Sequence, residues 1–271
     1  MAKISELTAS MDALWPPATA ENWDTPGLVC GDPSRDVSRV ILSVDVTAEL
    51  INEVAGRFDL LVAHHPFLMR GVTSLSEASA KGAALATAIR ADLAIFAAHT
   101  NADITATGVS ASLAAALGIL DDVALVPTSG DSVGHGRIGM LASPMPLGEF
   151  ARIVARSLPA SASGVRVAGD YSKIIQRVAV CGGAGDSFID AASAAGAEAF
   201  VTADLRHHVV QEAREKAALS RDDMALIDVS HWASEWPWLE VAARELRKLH
   251  PQVTFEVSDL RTDPFDFVIT Q

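Results

Sequence analysis

The sequence predicts an α/β protein, built as two similar α/β lobes with mostly parallel sheets. Three observations lead there. Short apolar, β-branched runs alternate with runs of helical period. The same rhythm occurs in both halves of the chain, with a weaker stretch between them. Three of the predicted strands run directly into histidine-bearing motifs, and ligands of open parallel sheets sit outside the carboxyl ends of strands.

Taken in order, MAKISELTASMDALW reads as a soluble amphipathic helix. VILSVDV (40–46) is a buried strand, and TAELINEVA (47–55) a helix with Thr47 as N-cap. DLLVA (59–63) is a strand, GAALATAIR (82–90) a helix, LAIFAA (93–98) a strand and VSASLAAALG (109–118) a helix ending near Gly118. From about Asp121 to Asp170, turn residues cluster among short apolar pieces. A boundary at 125–130 divides the chain into a first lobe, 1–128, and a second, 129–271, with 136–168 read as strand, helix and strand. Alternation then resumes with IIQRVAV (174–180), DSFIDAASAA (186–195), AEAFVTA (197–203), HVVQEAREKAA (208–218), MALIDVS (224–230), SEWPWLEVAARELRKL (234–249) and VTFEVS (253–258). CGGAG (181–185) reads as a tight turn between strand and helix; it does not fit a P-loop or G-x-G-x-x-G.

Composition narrows the function classes. The 271 residues carry 21 Lys+Arg against 34 Asp+Glu, a net charge of −13. That argues against non-specific nucleic-acid binding, which needs a basic face. Hydrophobic residues at 49% and charged residues at 20% allow a real core. Cys30 and Cys181 are too few for a disulfide framework or a thiolate metal site. No apolar run approaches the ~20 residues needed to span a bilayer, so a cytoplasmic protein without membrane attachment is expected.

The chemistry concentrates at three strand ends. DLLVA runs into His64-His65-Pro66, LAIFAA into His99-Thr100-Asn101-Ala102-Asp103, and MALIDVS into His231-Trp232-Ala233-Ser234-Glu235. Adjacent His64 and His65 point in different directions on an extended backbone, which suits two neighbouring ions better than one. His231 and Glu235 are spaced i, i+4 and share a face on a helical turn. Glu235 and Asp103 are the available bridging or capping carboxylates. Imidazole and carboxylate without thiolate suit Zn, Fe, Mn or Ni and do not choose among them. His99 fits an orienting residue or general base as well as a ligand. His135 and His250 are expected on the surface; His207-His208 open a helix after ADLR, where one of them could face the cleft, and His208 is a candidate for proton transfer. Trp232, Trp236 and Trp238 read as packing, or as a platform for a planar base.

These residues resemble the Nif-three-like dinuclear metal-binding family, which goes under the label GTP cyclohydrolase 1 type 2 homolog. The likeness runs from Glu21-Asn22-Trp23-Asp24-Thr25-Pro26-Gly27-Leu28 and Gly31-Asp32-Pro33, through Ser43 to Thr47, Asp59 to Pro66 and Ala98 to Asp103, to Thr202-Ala203-Asp204 and His231 to Glu235. It covers nearly the whole chain. It implies a dinuclear metal site in the cleft between the two lobes, and a homohexamer assembled as a trimer of dimers. Carried over, the family's ligands fall on His64, His65, Asp103, His231 and Glu235. His65 and Asp103 would serve one ion, His64 and His231 the other, with Glu235 shared. Many members carry a long insertion between the lobes; this chain resembles the compact form. It departs from the family pattern at Thr25, Ser230 and Trp236-Pro237-Trp238.

Two functions follow as expectations. The first is a dinuclear metal-dependent hydrolase acting on a small molecule, GTP or a related nucleotide, with two divalent ions as cofactors and His99 or His208 moving the proton. The alternative is a non-catalytic metal-binding protein whose ring assembly serves interaction or regulation.

Overall fold

The architecture was read from a computed structural model, which describes residues 2–130, 132–220 and 223–270. The elements run β1 (Ala2–Lys3), α1 (Ile4–Leu14), β2 (Gly27–Cys30), β3 (Asp36–Val37), β4 (Arg39–Ser43), α2 (Ala48–Val54), β5 (Leu60–Ala63), α3 (Ala80–Arg90), β6 (Ala94–Ala97), α4 (Thr100–Asp103), α5 (Val109–Ala116), β7 (Ile119–Ser129) and β8 (Val133–Pro146). They continue with α6 (Leu147–Ser157), β9 (Arg166–Ala168), β10 (Ile174–Ala184), α7 (Ile189–Ala194), β11 (Ala199–Ala203), α8 (His207–Ser220), β12 (Ala225–Val229), α9 (His231–Leu249) and β13 (Thr254–Val257).

The chain forms two compact units: 1–102 with 239–262, and 103–238 with 263–271. They differ from the linear halves 1–128 and 129–271. Residues near 128 lie inside β7, whose pairing with β8 holds that strand in one sheet. The C-terminal strand β13 pairs in parallel with β4 from Thr254↔Arg39 to Val257↔Leu42, so a late segment belongs to the first unit.

The first unit holds a five-stranded sheet in the order β13-β4-β5-β6-β2. Its first four strands are parallel and β2 is an antiparallel edge. Every residue of β5 and β6 is buried, as strands covered on both faces require. Thr47 caps α2 as expected, accepting from Leu50 N at 3.1 Å, and Ser79 does the same for α3 through Gly82 N at 3.1 Å. Ile41, Ile51, Leu61, Phe67, Leu85 and Ile95 form the core between these helices and the sheet.

The second unit holds a six-stranded sheet in the order β7-β8-β10-β11-β12-β9. Only β10-β11 and β11-β12 are parallel; the other pairings are antiparallel. The expectation of mostly parallel sheets is corrected here. The turn-rich stretch conceals a long β7-β8 hairpin because β8 carries glycines where β7 comes close. A Cβ at Gly139 would stand 2.5 Å from Leu120 O, beside a register shift in β7. The CGGAG segment is also strand as far as Ala184. Phe200, Leu226, Ile138, Ala179 and Ile189 anchor this unit's core. Among the described residues, no helix is long and apolar enough to cross a membrane.

Candidate metal centre

In the first unit the parallel register brings three strand ends together. Ser43 lies opposite Ala63, and Ala63 opposite Ala97. The residues just beyond these ends are Asp45, His64-His65 and His99. Backbone bonds extend the pairing: His64 N and His65 N donate to Ser43 O (3.1 Å) and Val44 O (2.8 Å), and Ala98 N donates to Ala63 O (2.9 Å). The rings of His64, His65 and His99 then lie 4.9–5.5 Å apart, centre to centre. Their nearest nitrogens all fall within 4.8 Å of one another, a group that could hold a metal ion.

The imidazoles of His64 and His65 are held through Nδ1, whereas His99 Nδ1 makes no hydrogen bond and only lies near a carboxylate. His64 Nδ1 is 2.9 Å from Ala98 O, and a carbonyl only accepts, so Nδ1 carries the proton. His65 Nδ1 is 2.7 Å from Asp45 Oδ1, and Asp45 also accepts from the Thr262 hydroxyl. His99 Nδ1 is 3.1 Å from Asp24 Oδ1. Asp24 in turn accepts from Thr100 N (3.1 Å) and Thr100 Oγ1 (2.6 Å). Burial raises the Asp24 carboxyl, but the bonds from Thr100 and the nearby His99 outweigh it and leave the pKa lowered. Burial, reinforced by the neighbouring His64, pushes His99 down to about 4 against the pull of Asp24. His99 is therefore neutral at pH 7 and a weak base.

The second unit repeats the design with different residues. β10, β11 and β12 are parallel neighbours, and their ends carry Gly183, Asp204 and His231. Ser230 caps α9, its hydroxyl accepting from Ala233 N at 3.2 Å while donating to Asp263. That is a local reason for serine at this departure from the family pattern. On the first turn of α9, His231 Nε2 stands 3.0 Å from Glu235 Oε1, as the i, i+4 spacing predicts. His231 Nδ1 is 2.7 Å from Asp204 Oδ2. Burial lowers the His231 pKa, but Glu235 and Asp204 overcome this and raise it to about 11. Glu235 itself is buried. Asp103 belongs to this unit: burial first, then the charge of Asp103, with a smaller push from Glu235, raises the Cys181 thiol to about 12.

Among the described residues His208 joins no cluster of potential ligands. It sits exposed on α8 with its ring 5.1 Å from His207. His135 and His250 are less exposed than their contexts predicted: His135 stacks on Phe188 at 5.5 Å, and His250 is buried with Nε2 2.8 Å from Ser10 Oγ. Trp232 and Trp238 are buried, so they pack. In the sequence Asp24, Asp45 and Asp204 stand within the motifs without an assigned role. Asp204 could have been found by the signal that found the histidines, a charged side chain just past an apolar strand; Asp45 falls inside the run read as strand, and the observed strand ends at Ser43.

Comparison with known proteins agrees over the same span. The family model described as Duf34/NIF3 (NGG1p interacting factor 3) matches residues 2–264. A Streptomyces coelicolor protein named GTP cyclohydrolase 1 type 2 homolog is 44% identical over 273 residues, covering 98% of this chain and 94% of that protein. A Mycobacterium tuberculosis protein of the same name is 30% identical, covering 97% of each chain. That alignment extends over 372 residues against the 271 here, so the relative carries the longer form. Among solved structures, a Bacillus cereus protein related to NIF3 superposes with a TM-score of 0.90 at 23% identity, covering 98% of this chain and 99% of that one. A Staphylococcus aureus hypothetical protein does so with a TM-score of 0.88 at 26% identity and the same coverage.

Proposed function

The chain belongs to the Duf34/NIF3 family, and we propose that this protein is a hydrolase dependent on two divalent cations, acting on GTP or a related nucleotide. In this reading His64, His65, Asp103, His231 and Glu235 are the ligands. One observation carries it. In His64, His65 and His231, Nδ1 is engaged by a backbone carbonyl or a carboxylate. With Nδ1 so engaged, Nε2 is the nitrogen each ring would offer a cation, which on His231 would replace the proton shared with Glu235; this is the orientation that second partners impose on metal-bound histidines.

The donor set fits a divalent ion. It is imidazole and carboxylate, which suits Zn, Fe, Mn or Ni, and the Cys181 thiol stays protonated. Bound there, two cations would supply positive charge to polarise the scissile group and acidify the attacking water. The chain's own residues do the rest. Asp45 and Asp204 orient His65 and His231, and the Ala98 carbonyl orients His64. Glu235, with two oxygens, would be the shared ligand, with His65 and Asp103 holding one ion and His64 and His231 the other. His99, beside Asp24, is the residue that orients the site or, with His208 as the other candidate, moves the proton. The nucleotide comes from the names of the Streptomyces and Mycobacterium relatives.

Metal content of purified variants tests the reading. Glu235→Ala should lose at least one ion per chain, whereas His99→Ala should keep substantial metal. Full loading of Glu235→Ala would remove this carboxylate from the ligand set. A nucleotide screen of the metal-loaded protein, with Glu235→Ala as control, then decides turnover; a loaded protein inert towards all of them would favour a binding role.

A further inference from the structure

We infer that Gly183 keeps the space beside the His231–Glu235 donor pair open, so that its missing side chain is a requirement of metal binding and not of the chain turn alone. The inference rests on the proposed ligand role of that pair. A Cβ built on Gly183 would stand 2.5 Å from Glu235 Oε1 and 3.1 Å from His231 Nε2. In that reading these are the two atoms that would hold an ion. Any side chain at 183 would enter the space in which they meet it, or push them out of place.

The neighbouring glycines answer to other constraints. A Cβ at Gly182 would meet Val109 Cγ1 at 2.5 Å, and one at Gly185 would meet Thr202 Oγ1 at 2.3 Å. Those are packing contacts; of the three, only position 183 faces the donor atoms. The backbone at 183 has little freedom to withdraw. Gly183 N donates to Ser234 Oγ at 2.9 Å, and Gly183 O accepts from Thr202 Oγ1 at 3.0 Å. Ser234 Oγ donates in turn to His231 O at 2.7 Å. The strand end is therefore pinned to the helix turn that carries both donors, and an added methyl group has to be accommodated by Glu235 and His231.

Gly183 also has a left-handed φ of +69°, which L side chains resist by themselves. Gly196 supplies the control. Its φ is +74°, and a Cβ there would have nothing within 4 Å. Gly183→Ala and Gly196→Ala thus share the backbone strain and differ in the clash.

The experiment is zinc binding to the metal-free full chain, by competition with a chromophoric chelator, with circular dichroism as the check of folding. Gly196→Ala should bind as the wild type does. Gly183→Ala should lose affinity by about tenfold or more at the site that Glu235→Ala also loses, on the scale expected when a ligand is displaced from its bound geometry. Adding Gly183→Ala to Glu235→Ala should cost nothing further, since both act on one site. Equal zinc affinity in Gly183→Ala and Gly196→Ala would overturn the inference and leave the metal reading intact; a wild type that takes up none of zinc, iron, manganese or nickel overturns both. If Gly183→Ala does not fold, the double variant Gly183→Ala/Glu235→Asp decides. Its shorter carboxylate draws back from the methyl, so folding should return, and a double variant that also fails to fold shows that the carboxylate clash is not the cause.

Discussion

Asp204 accepts from His231 through a 2.7 Å contact to Nδ1, on the far side of the ring from Glu235. Asp204 itself has φ +56°, a left-handed conformation that asparagine tolerates nearly as well as aspartate. Asp204→Asn therefore separates the charge from the backbone conformation, since the amide oxygen can still accept from Nδ1. It should weaken zinc binding by ~10–100-fold with little change in thermal midpoint of the metal-free protein. Unchanged affinity would mean that this carboxylate does not tune the imidazole.

Asp59 offers a pH test away from the histidines. Its carboxylate accepts from Ser38 N (2.8 Å), Ser38 Oγ (2.9 Å) and Arg39 N (2.9 Å). Burial raises its pKa, but these bonds outweigh burial and leave it lowered from 3.8. For a carboxyl depressed in the folded state, the stabilisation is present above the unfolded value of 3.8 and disappears as pH falls through the lower folded value. Asp59→Ala should cost about 1–2 kcal/mol near neutrality. The gap between wild-type and variant urea midpoints should close only in acid. A gap independent of pH down to acid unfolding would assign the loss to shape rather than charge.

The two thiols should respond unequally to alkylation. Cys181 is buried with its pKa at about 12, so at pH 8 about one molecule in ten thousand is thiolate. Cys30 is half-buried and its pKa is also raised, first by burial. Mass spectrometry after iodoacetamide should show slow labelling of Cys30 and none of Cys181 until the protein is denatured. Rapid labelling of native Cys181 would contradict its buried, acid-flanked setting.

The homohexamer implied by the family likeness is expected in solution. Phe265, Phe267, Val268 and Ile269 are 64%, 78%, 60% and 79% exposed in the single chain, an apolar run that an assembly would cover. Light scattering at micromolar concentration should report six copies, and removal of residues 265–271 should lower that number. A salt-independent monomer would discard the ring.

Period and position in the sequence determined the parallel strands and nominated the residues that could carry chemistry. β4, β5, β6, β11 and β12 are legible as continuous apolar runs because both faces of a parallel strand are covered. The histidines are legible because they interrupt that pattern at its end. The i, i+4 spacing likewise determined that His231 and Glu235 meet, since one helical turn does so without help from the rest of the fold. Pairing across the sheet was decided only by tertiary structure. The β7-β8 hairpin hides among glycines that strand propensity disfavours and close approach requires. The inclusion of 239–262 in the first unit goes with β13 returning to β4, more than two hundred positions away. Nothing local marks Asp24, Asp45 or Asp204 as partners of His99, His65 and His231. Those contacts arise when parallel register sets separate strand ends side by side, and a linear pattern carries no record of which ends become neighbours.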